Sequence, residues 1–247
     1  MKIKHIFIFF ISVFFAIGES YAQQDTLYYK ERYGVTLGYD VGKNIRGLLD
    51  DNYTSYGVVG DFRLTEKIWL ASELGYDEYI FDEANMLVET NGGYLKVGAN
   101  YNFFENWIGM ENLIYGGVRY GFAAFSHELV SYTPTVRQLT FPPSDTPREQ
   151  FFPPQMNEVN RSFSNLTAGW AEFLFGFRVE MVRNLFMDFN FQLMIRLNES
   201  ELTNFAHMNI PGFGRTYQDS RVGSGFSYSI RYLIPLYTKT KKQAIDN

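Results

Sequence analysis

Residues 185–198, LFMDFNFQLMIRLN, alternate between apolar and polar side chains. Every odd-numbered position is Leu, Met, Phe or Ile, whereas Asp188, Asn190, Gln192 and Arg196 stand between them. Side chains of a β-strand point alternately to its two faces, whereas a helix would scatter these apolar residues around its circumference. The stretch therefore predicts one amphipathic strand, longer than the roughly 5–6 residues usual in globular proteins.

The same alternation recurs along the chain and predicts eight strands. The other segments are residues 33–41, 56–64, 68–79, 95–103, 114–125, 171–181 and 222–234. Short connections alternate with long ones, and the long ones are residues 42–55, 81–93, 126–165 and 199–220. Strands joined alternately by short turns and long loops are typical of barrels that cross the outer membrane. We therefore predict an all-β fold: an eight-stranded, antiparallel, transmembrane up-and-down β-barrel.

A soluble lipocalin-like barrel is the alternative, because it also has eight strands but turns its apolar face inward. Three features favour the membrane. The apolar face is unusually aromatic, and the opposite face carries charges of both signs in mid-strand. Glycine also recurs on that opposite face, where a narrow lumen must accommodate bulky side chains. These glycines are Gly75, Gly98, Gly121 and Gly176.

Composition excludes several other classes of protein. The chain has 247 residues, no cysteine, 18% aromatic residues and a net charge of −5. Without cysteine it is neither a disulfide scaffold, a zinc ribbon nor a cysteine enzyme. It is too aromatic to be disordered and too acidic to suggest a nucleic-acid partner.

The first residues have the pattern of a Sec signal peptide. Lys2 and Lys4 precede an apolar run at residues 6–17, and a small-x-small site ends at Ala22. That apolar run is shorter than the roughly 20 residues needed to span a bilayer. We predict cleavage near Ala22. The expected organisation is a signal peptide at 1–22, a short periplasmic segment at 23–32, the barrel at 33–237 with a long extracellular loop at 126–165, and a basic periplasmic tail at 238–247.

Over residues 33–237 this pattern resembles the small outer-membrane barrels of Gram-negative bacteria, of the OmpA, OmpX and OmpW type. The phenylalanine-rich signal peptide is similar to those of Bacteroidota. The resemblance implies a location in the cell outer membrane, in contact with membrane lipid and lipopolysaccharide. One departure is the ten residues after Tyr237, because such barrels usually finish on an aromatic residue. That tail is too short for a peptidoglycan-binding domain.

The polar face predicts a network of charged side chains in the lumen. Its members are Asp61, Arg63, Glu73, Lys96, Arg119, Glu172, Arg178, Glu180, Asp188, Arg196 and Arg231. One interpretation is a polar channel or ligand site, and the other is a salt-bridged plug. Eight strands leave an interior only just wide enough for side chains, where an unpaired ion is costly. The near balance of the two signs therefore favours the plug, and steady transport is not expected.

The predicted loop at 126–165 is rich in proline and phenylalanine. Its candidate contact residues are Phe141, Pro142, Pro143, Phe151, Phe152, Pro153, Pro154 and Met156. Loops of this length are usually functional or disordered, and proline stiffens an extended segment. The phenylalanines could anchor a protein partner at the cell surface or fold over the mouth of their own barrel. The sequence leaves both interpretations open.

No catalytic or metal-binding constellation stands out. Barrels that modify lipid A, such as deacylases and palmitoyltransferases, need a histidine with a nearby serine and an acid. Ser126, His127 and Glu128 are adjacent, but the deacylase-like His-x-Ser spacing is absent, so we expect His127 and His207 to be polar loop residues. We interpret Asp50 and Asp51 as part of an ordinary solvated turn rather than a calcium site. We predict no enzyme activity, no metal and no cofactor.

The leading functional hypothesis is a non-enzymatic barrel that serves as a structural or protein-interaction subunit of a larger outer-membrane complex. Secretion, import or barrel-assembly machinery would suit such a subunit. The first alternative is a small-molecule or lipid-binding barrel of the OmpW type. The second is a lipid A-modifying enzyme that uses His127.

Overall fold

The structure, a computed structural model, describes residues 26–83, 86–104, 111–133, 157–202, 205–217 and 220–244. Eight antiparallel strands close into a barrel, with one short helix and one small hairpin between them. The barrel strands are β1 (Thr26–Asp40), β2 (Tyr53–Arg63), β3 (Ile68–Glu83), β4 (Met86–Asn102), β5 (Leu113–Tyr132), β6 (Asn157–Val182), β7 (Leu185–Glu199) and β10 (Val222–Ala244). The helix α1 is Val41–Leu49, and the hairpin consists of β8 (Asn209–Ile210) and β9 (Gly214–Arg215).

Each barrel strand pairs with its neighbours along the chain, and β10 returns to lie beside β1. This is up-and-down topology, so the predicted all-β, eight-stranded antiparallel barrel is confirmed. The register is continuous over most of the ring. Between β3 and β4, for example, every residue from Ile68 to Glu83 has a partner.

The barrel is apolar outside and charged inside. On β7, the outward side chain of Phe191 is 54% exposed, whereas the inward Asp188 is fully buried. The burial pattern of β7 alternates in this way along most of its length, with the apolar positions outward. A soluble barrel has the opposite arrangement, so the lipocalin-like alternative is wrong. A continuous belt of exposed aromatic and aliphatic side chains is stable in lipid, as a transmembrane barrel requires.

The chain divides into two compact units. Arg32–Thr238 forms one, and the other includes the described residues 26–31 and 239–244. In the second unit, residues 26–31 and 239–244 are described as the ends of β1 and β10. The sequence pattern left these residues outside the strands, because strand pairing uses backbone groups and needs no apolar alternation. The predicted signal peptide at 1–22 lies outside the described residues.

The loop predicted at 126–165 is shorter in the structure, because β5 continues to Tyr132 and β6 begins at Asn157. These extensions remain paired, with Tyr132 opposite Asn157. Outward positions such as Ser126 and Glu128 are polar there, so the apolar alternation ends before the strand does. The predicted loop contacts lie outside the described residues. They are Phe141, Pro142, Pro143, Phe151, Phe152, Pro153, Pro154 and Met156.

Helix α1 lies in the segment 42–55, which the sequence pattern assigned to a loop. Asp40 caps its N-terminus, because the Asp40 carboxylate accepts a hydrogen bond from the backbone N–H of Gly42 at 3.0 Å. Its apolar residues Ile45, Leu48 and Leu49 are exposed. Among the described residues, no helix is both long enough and apolar enough to cross a membrane.

Candidate functional site

The turn-side cluster fills the lumen near the short connections with two acids and two arginines. Arg178 spans both acids, with Nη2 at 2.5 Å from Asp61 Oδ2 and Nε at 2.7 Å from Asp188 Oδ2. Arg231 makes a second bridge, to Asp61 through Nη1 and to Asp188 Oδ1 at 3.4 Å. The hydroxyl group of Tyr115 donates a hydrogen bond to Asp188 Oδ1 at 2.8 Å. All four ionic side chains are buried and their charges cancel.

The loop-side cluster lies further along the lumen and alternates acids with bases. Lys96 Nζ is 2.8 Å from Glu172 Oε2 and 3.8 Å from Glu73 Oε2. Arg119 Nη1 approaches the same two carboxylates, at 3.5 Å from Glu73 and 3.7 Å from Glu172. The oxygens of Glu172 are held by these ionic contacts alone, since neither has a hydrogen-bond partner.

Helix α1 adds a third base to the loop-side cluster. Lys43 Nζ lies 3.2 Å from Asp77 Oδ1 and 3.9 Å from Glu73 Oε1, and it donates to the hydroxyl of Tyr94. Tyr94 in turn donates to Glu73 at 2.7 Å. The backbone N–H of Gly212 in the β8–β9 hairpin donates to Asp77 Oδ2 at 2.7 Å. Three acids therefore balance three bases, and the same network holds both the helix and the hairpin.

Large aromatic side chains occupy the remaining space, and glycines opposite them make this possible. A Cβ on Gly121 would lie 2.1 Å from Cε2 of Trp170, and one on Gly75 would lie 2.3 Å from the hydroxyl oxygen of Tyr94. Phe213 packs edge-on against Trp170, with ring centroids 5.9 Å apart. Trp170 is completely buried. Aromatic packing and paired charges together fill the lumen.

A cavity of about 610 Å³ remains at the loop end of the lumen. It lies between α1, the hairpin, and the loop-side ends of β7 and β10. Its polar lining includes Asp40, whose carboxylate accepts a hydrogen bond from Ser227 at 2.9 Å. Phe213 and Met194 contribute apolar surface. A cavity of this size and mixed lining can hold a small organic ligand.

His127 is buried, which corrects the expectation of a polar loop residue. Its Nδ1 lies 2.7 Å from the Thr90 hydroxyl and its Nε2 lies 3.0 Å from Nδ1 of His207. His207 Nε2 in turn lies 2.7 Å from the carbonyl oxygen of Ser200. Burial and the neighbouring imidazole lower the pKa of His127 to about 3. The sequence could not show this burial, because it depends on the loop that carries His207.

The structure does not bring Ser126 and Glu128 to the ring of His127. The Ser126 hydroxyl bonds instead to the side chain of Asn91 at 2.9 Å, and Glu128 is exposed. Both flanking side chains leave the strand on the face opposite His127, as alternation requires. The predicted trio of Ser126, His127 and Glu128 is therefore not assembled around the imidazole ring.

The predicted lumen residues separate into three positions. Asp61, Glu73, Lys96, Arg119, Glu172, Arg178, Asp188 and Arg231 form the two clusters. Arg63 stacks on the ring of Tyr33 at 4.3 Å, towards the short turns. Arg196 pairs with Glu199 at 2.8 Å near the loop end of β7. Glu180 is only partly buried, at the turn end of β6.

Several lumen residues were missed by the sequence analysis. Arg32 bridges Glu180 at 2.7 Å and Glu111 at 3.0 Å, but it was assigned to a segment before the barrel. Lys43 was assigned to a loop. The signal that could have revealed α1 is Asp40 as a helix cap, followed by apolar residues at helical spacing. These residues are Val41, Ile45, Leu48 and Leu49.

Comparison with known proteins gives a family but little else. One similar solved structure is the crystal structure of Ail, the attachment invasion locus protein of Yersinia pestis. It is 9% identical, the alignment covers 82% of this chain and 97% of that chain, and the TM-score is 0.37. No curated protein matches the sequence. A family model matches residues 1–239, and the chain therefore belongs to the family described as Domain of unknown function (DUF6048).

Proposed function

We propose that this chain is a non-conducting outer-membrane β-barrel that acts as a structural or protein-interaction subunit of a larger outer-membrane complex. The observation that carries the proposal is the filled lumen. Two neutral clusters of buried ion pairs, with Trp170 and Tyr115 beside them, occupy the space a channel would need. A filled lumen favours a role for the exposed surfaces of the barrel over transport through it.

The outer-membrane location is part of the proposal. Its support is the exposed apolar belt of a closed barrel together with the signal-peptide pattern at residues 1–22. Membrane lipid and lipopolysaccharide are the contacts this location implies. Nucleic acid is not among the proposed partners, because the chain has a net negative charge.

The strand extensions support a role in protein interaction. β5 and β6 remain paired beyond the apolar belt, as far as Tyr132 and Asn157. A separate apolar cluster stiffens the loop side of the protein, with Val88 at its centre. Its other members are Phe81, Leu129, Tyr79, Met86, Phe163, Phe205 and Met208. Pre-ordered surfaces lose little entropy on binding, so a stiff extension favours association with a partner.

The proposed role is non-enzymatic. Its support is the arrangement around His127, because Ser126 and Glu128 leave β5 on the face opposite its ring and the Ser126 hydroxyl bonds to Asn91. No group of three or more His, Asp or Glu side chains in the described ranges is placed to hold a metal ion.

A pull-down tests the interaction role. The tagged protein is extracted from native outer membranes in a mild detergent, and mass spectrometry identifies what is retained. We expect a stoichiometric partner that is lost when a Gly/Ser linker of equal length replaces residues 141–154. Heat-dependent gel mobility of both proteins serves as the control that the barrel is folded. A clean monomer from the wild type would contradict the interaction role.

The cavity at the loop end favours a second candidate, a small-molecule or lipid-binding barrel. Its volume of about 610 Å³ is within the range of ligand sites, and it combines charged and aromatic lining. The two functions are compatible, since a partner would dock on the extended ends of β5 and β6, whereas a ligand would bind in the cavity at the loop end of the lumen. Saturable binding of a small amphiphile to the purified monomer would distinguish the second function from the first.

A further inference from the structure

Strand β1 ends at Asp40, where helix α1 begins, before it has run the full length of its neighbour β10. The glycines of β1 show where the two chains run together. A Cβ on Gly34 would lie 2.0 Å from the carbonyl oxygen of Ile234, and one on Gly38 would lie 2.5 Å from that of Ile230. A Cβ on Gly42, four residues further along the chain, would lie 3.1 Å from the backbone nitrogen of Tyr228, but Gly42 already belongs to α1. Residues 222–227 of β10 therefore lie beyond the end of β1.

This arrangement leaves a free strand edge. On its other side, β10 pairs with β7 through every residue from Val222 to Tyr232. Within the described part of the chain, no backbone hydrogen bond joins α1 to residues 222–227. A helix cannot offer the regular donors and acceptors of a strand, because its own bonds use them. The wall is therefore open along this edge.

The lining of the cavity includes residues from both faces of the barrel wall beside that edge. Its lining includes Gln192 and Gly225, which face inward, and also Leu193 and Phe226, which belong to the exposed apolar belt. Phe226 is 66% exposed. A cavity lined by both faces of one strand opens sideways through the wall, at the height of the lipid-facing residues.

Helix α1 is amphipathic in the orientation that such an opening needs. Leu48 and Leu49 are 83% and 85% exposed, as expected of side chains that meet lipid. Lys43 points the other way, to Asp77 and Glu73. The helix thus turns its leucines outward and its lysine towards the charged floor of the cavity.

The charged side chains that line the cavity favour a ligand of negative charge. Lys43 and Lys96 are neutralised by acids of the loop-side cluster. Arg46 also lines the cavity, with its guanidinium 3.9 Å above the ring of Tyr53. Among the described residues, no carboxylate pairs with Arg46, whose side chain is exposed. Asp40 also lines the cavity, but it is buried and its carboxylate is held by Gly42 and Ser227, so the charge available to a ligand is the positive charge of Arg46. A guanidinium binds phosphate or carboxylate oxygens in pairs.

We infer that the cavity binds an anionic amphiphile, which enters sideways from the bilayer between α1 and β10. Its phosphate or carboxylate head pairs with Arg46, and its hydrocarbon chain lies across Phe226 and Leu193 towards the lipid. This inference rests on the second candidate function and adds the chemical class of the ligand and its route.

Native mass spectrometry of the purified full chain tests the inference. The probes are 1-palmitoyl lysophosphatidylglycerol, which is anionic, 1-palmitoyl lysophosphatidylcholine, which is zwitterionic, and glycerophosphoglycerol, which lacks the chain. We expect one bound anionic lipid per protein and about tenfold weaker binding of the zwitterionic lipid, as one charge-assisted contact provides. The chain-free head group should not bind detectably.

Two variants locate the site. Arg46→Gln should bring the anionic lipid to the affinity of the zwitterionic one. Gly225→Leu should abolish binding of both, because a Cβ there has room, at 3.4 Å from Met194 Cε, while a larger side chain enters the cavity. Gly93→Leu is the matched control. It lies on β4, its Cβ would meet nothing nearer than 3.7 Å, and binding should be unchanged.

The outcomes separate the ligand class from the binding function. Lipid adducts that are equal in wild type and Gly225→Leu would overturn the site and show ordinary surface lipid. Binding that is lost in Gly225→Leu but keeps its anionic preference in Arg46→Gln would overturn the head-group assignment while the cavity remains a binding site. No adduct with either lipid would overturn the inference and the second candidate function together, and it would leave the interaction role standing.

Discussion

Neutralising Asp61 should destabilise the barrel more than any change of a surface charge. Asp61 accepts from Arg178 at 2.5 Å and from Arg231, and all three side chains are buried. Asp61→Asn keeps one acceptor oxygen but leaves Asp188 alone against two arginines. Breaking a buried ion pair on one side typically costs about 3–5 kcal/mol, because the remaining charge has no compensation. We expect a loss of this size in the free energy of unfolding.

A second substitution separates charge balance from packing. Arg231→Gln together with Asp61→Asn restores a neutral cluster, in which Arg178 and Asp188 still pair at 2.7 Å. The double variant should regain roughly 1–2 kcal/mol relative to Asp61→Asn alone. Glu83→Gln is the control, because it breaks an ion pair of 3.4 Å whose side chains are about half exposed. Exposed pairs contribute about 1 kcal/mol or less.

The assay is urea unfolding in lipid vesicles, followed by tryptophan fluorescence. A cost below about 1 kcal/mol for Asp61→Asn, the range of the Glu83→Gln control, would refute the role of these ion pairs in stability. A double variant that is no more stable than the single one would also refute it, because charge balance would then be irrelevant in this lumen.

Two further predictions concern His127 and the packing around Trp170. His127 has a folded-state pKa of about 3, below its ordinary value, so its contribution to stability is complete above about pH 6.5 and is lost as the pH falls towards 3. Between pH 7.5 and pH 5 the free energy of unfolding of the wild type, measured in urea, should fall by about 2 kcal/mol. His127→Gln should remove most of this pH dependence. An unchanged pH dependence in the variant would show that other groups cause it. Gly121→Ala places a Cβ 2.1 Å from the Trp170 ring and should cost about 1–3 kcal/mol, whereas Gly93→Ala has free space and should be close to neutral. Equal thermal stability of the two glycine variants would contradict the tight packing of Trp170.

The number of strands and the direction of their faces could be predicted from the sequence, because both follow from local alternation. The charge pairs could not. Arg178 and Asp61 belong to β6 and β2, which stand on opposite sides of the ring, so their contact depends on the closure of the barrel. The alternation of apolar and polar residues shows that both residues face the lumen, but it does not predict which charged side chains pair across the lumen.

The structure at the mouth of the barrel also could not be predicted from the alternation of apolar and polar residues. Helix α1 follows a different period, and its short apolar face is interrupted by glycine and charged residues. The buried pair of His127 and His207 depends on a loop that returns over β5, which no local pattern encodes. The cavity exists because these non-strand segments meet the end of β10, so it could only be found in the folded structure.

The most direct test of the closed lumen is a conductance measurement. Purified protein, free of other porins, is inserted into a planar lipid bilayer and current is recorded under an applied voltage. We expect no steady ohmic current from the wild type, because paired charges and the buried Trp170 fill the lumen. A stable current that rises in equal steps with added protein would contradict the closed lumen and, with it, the proposal that this barrel acts through its surfaces.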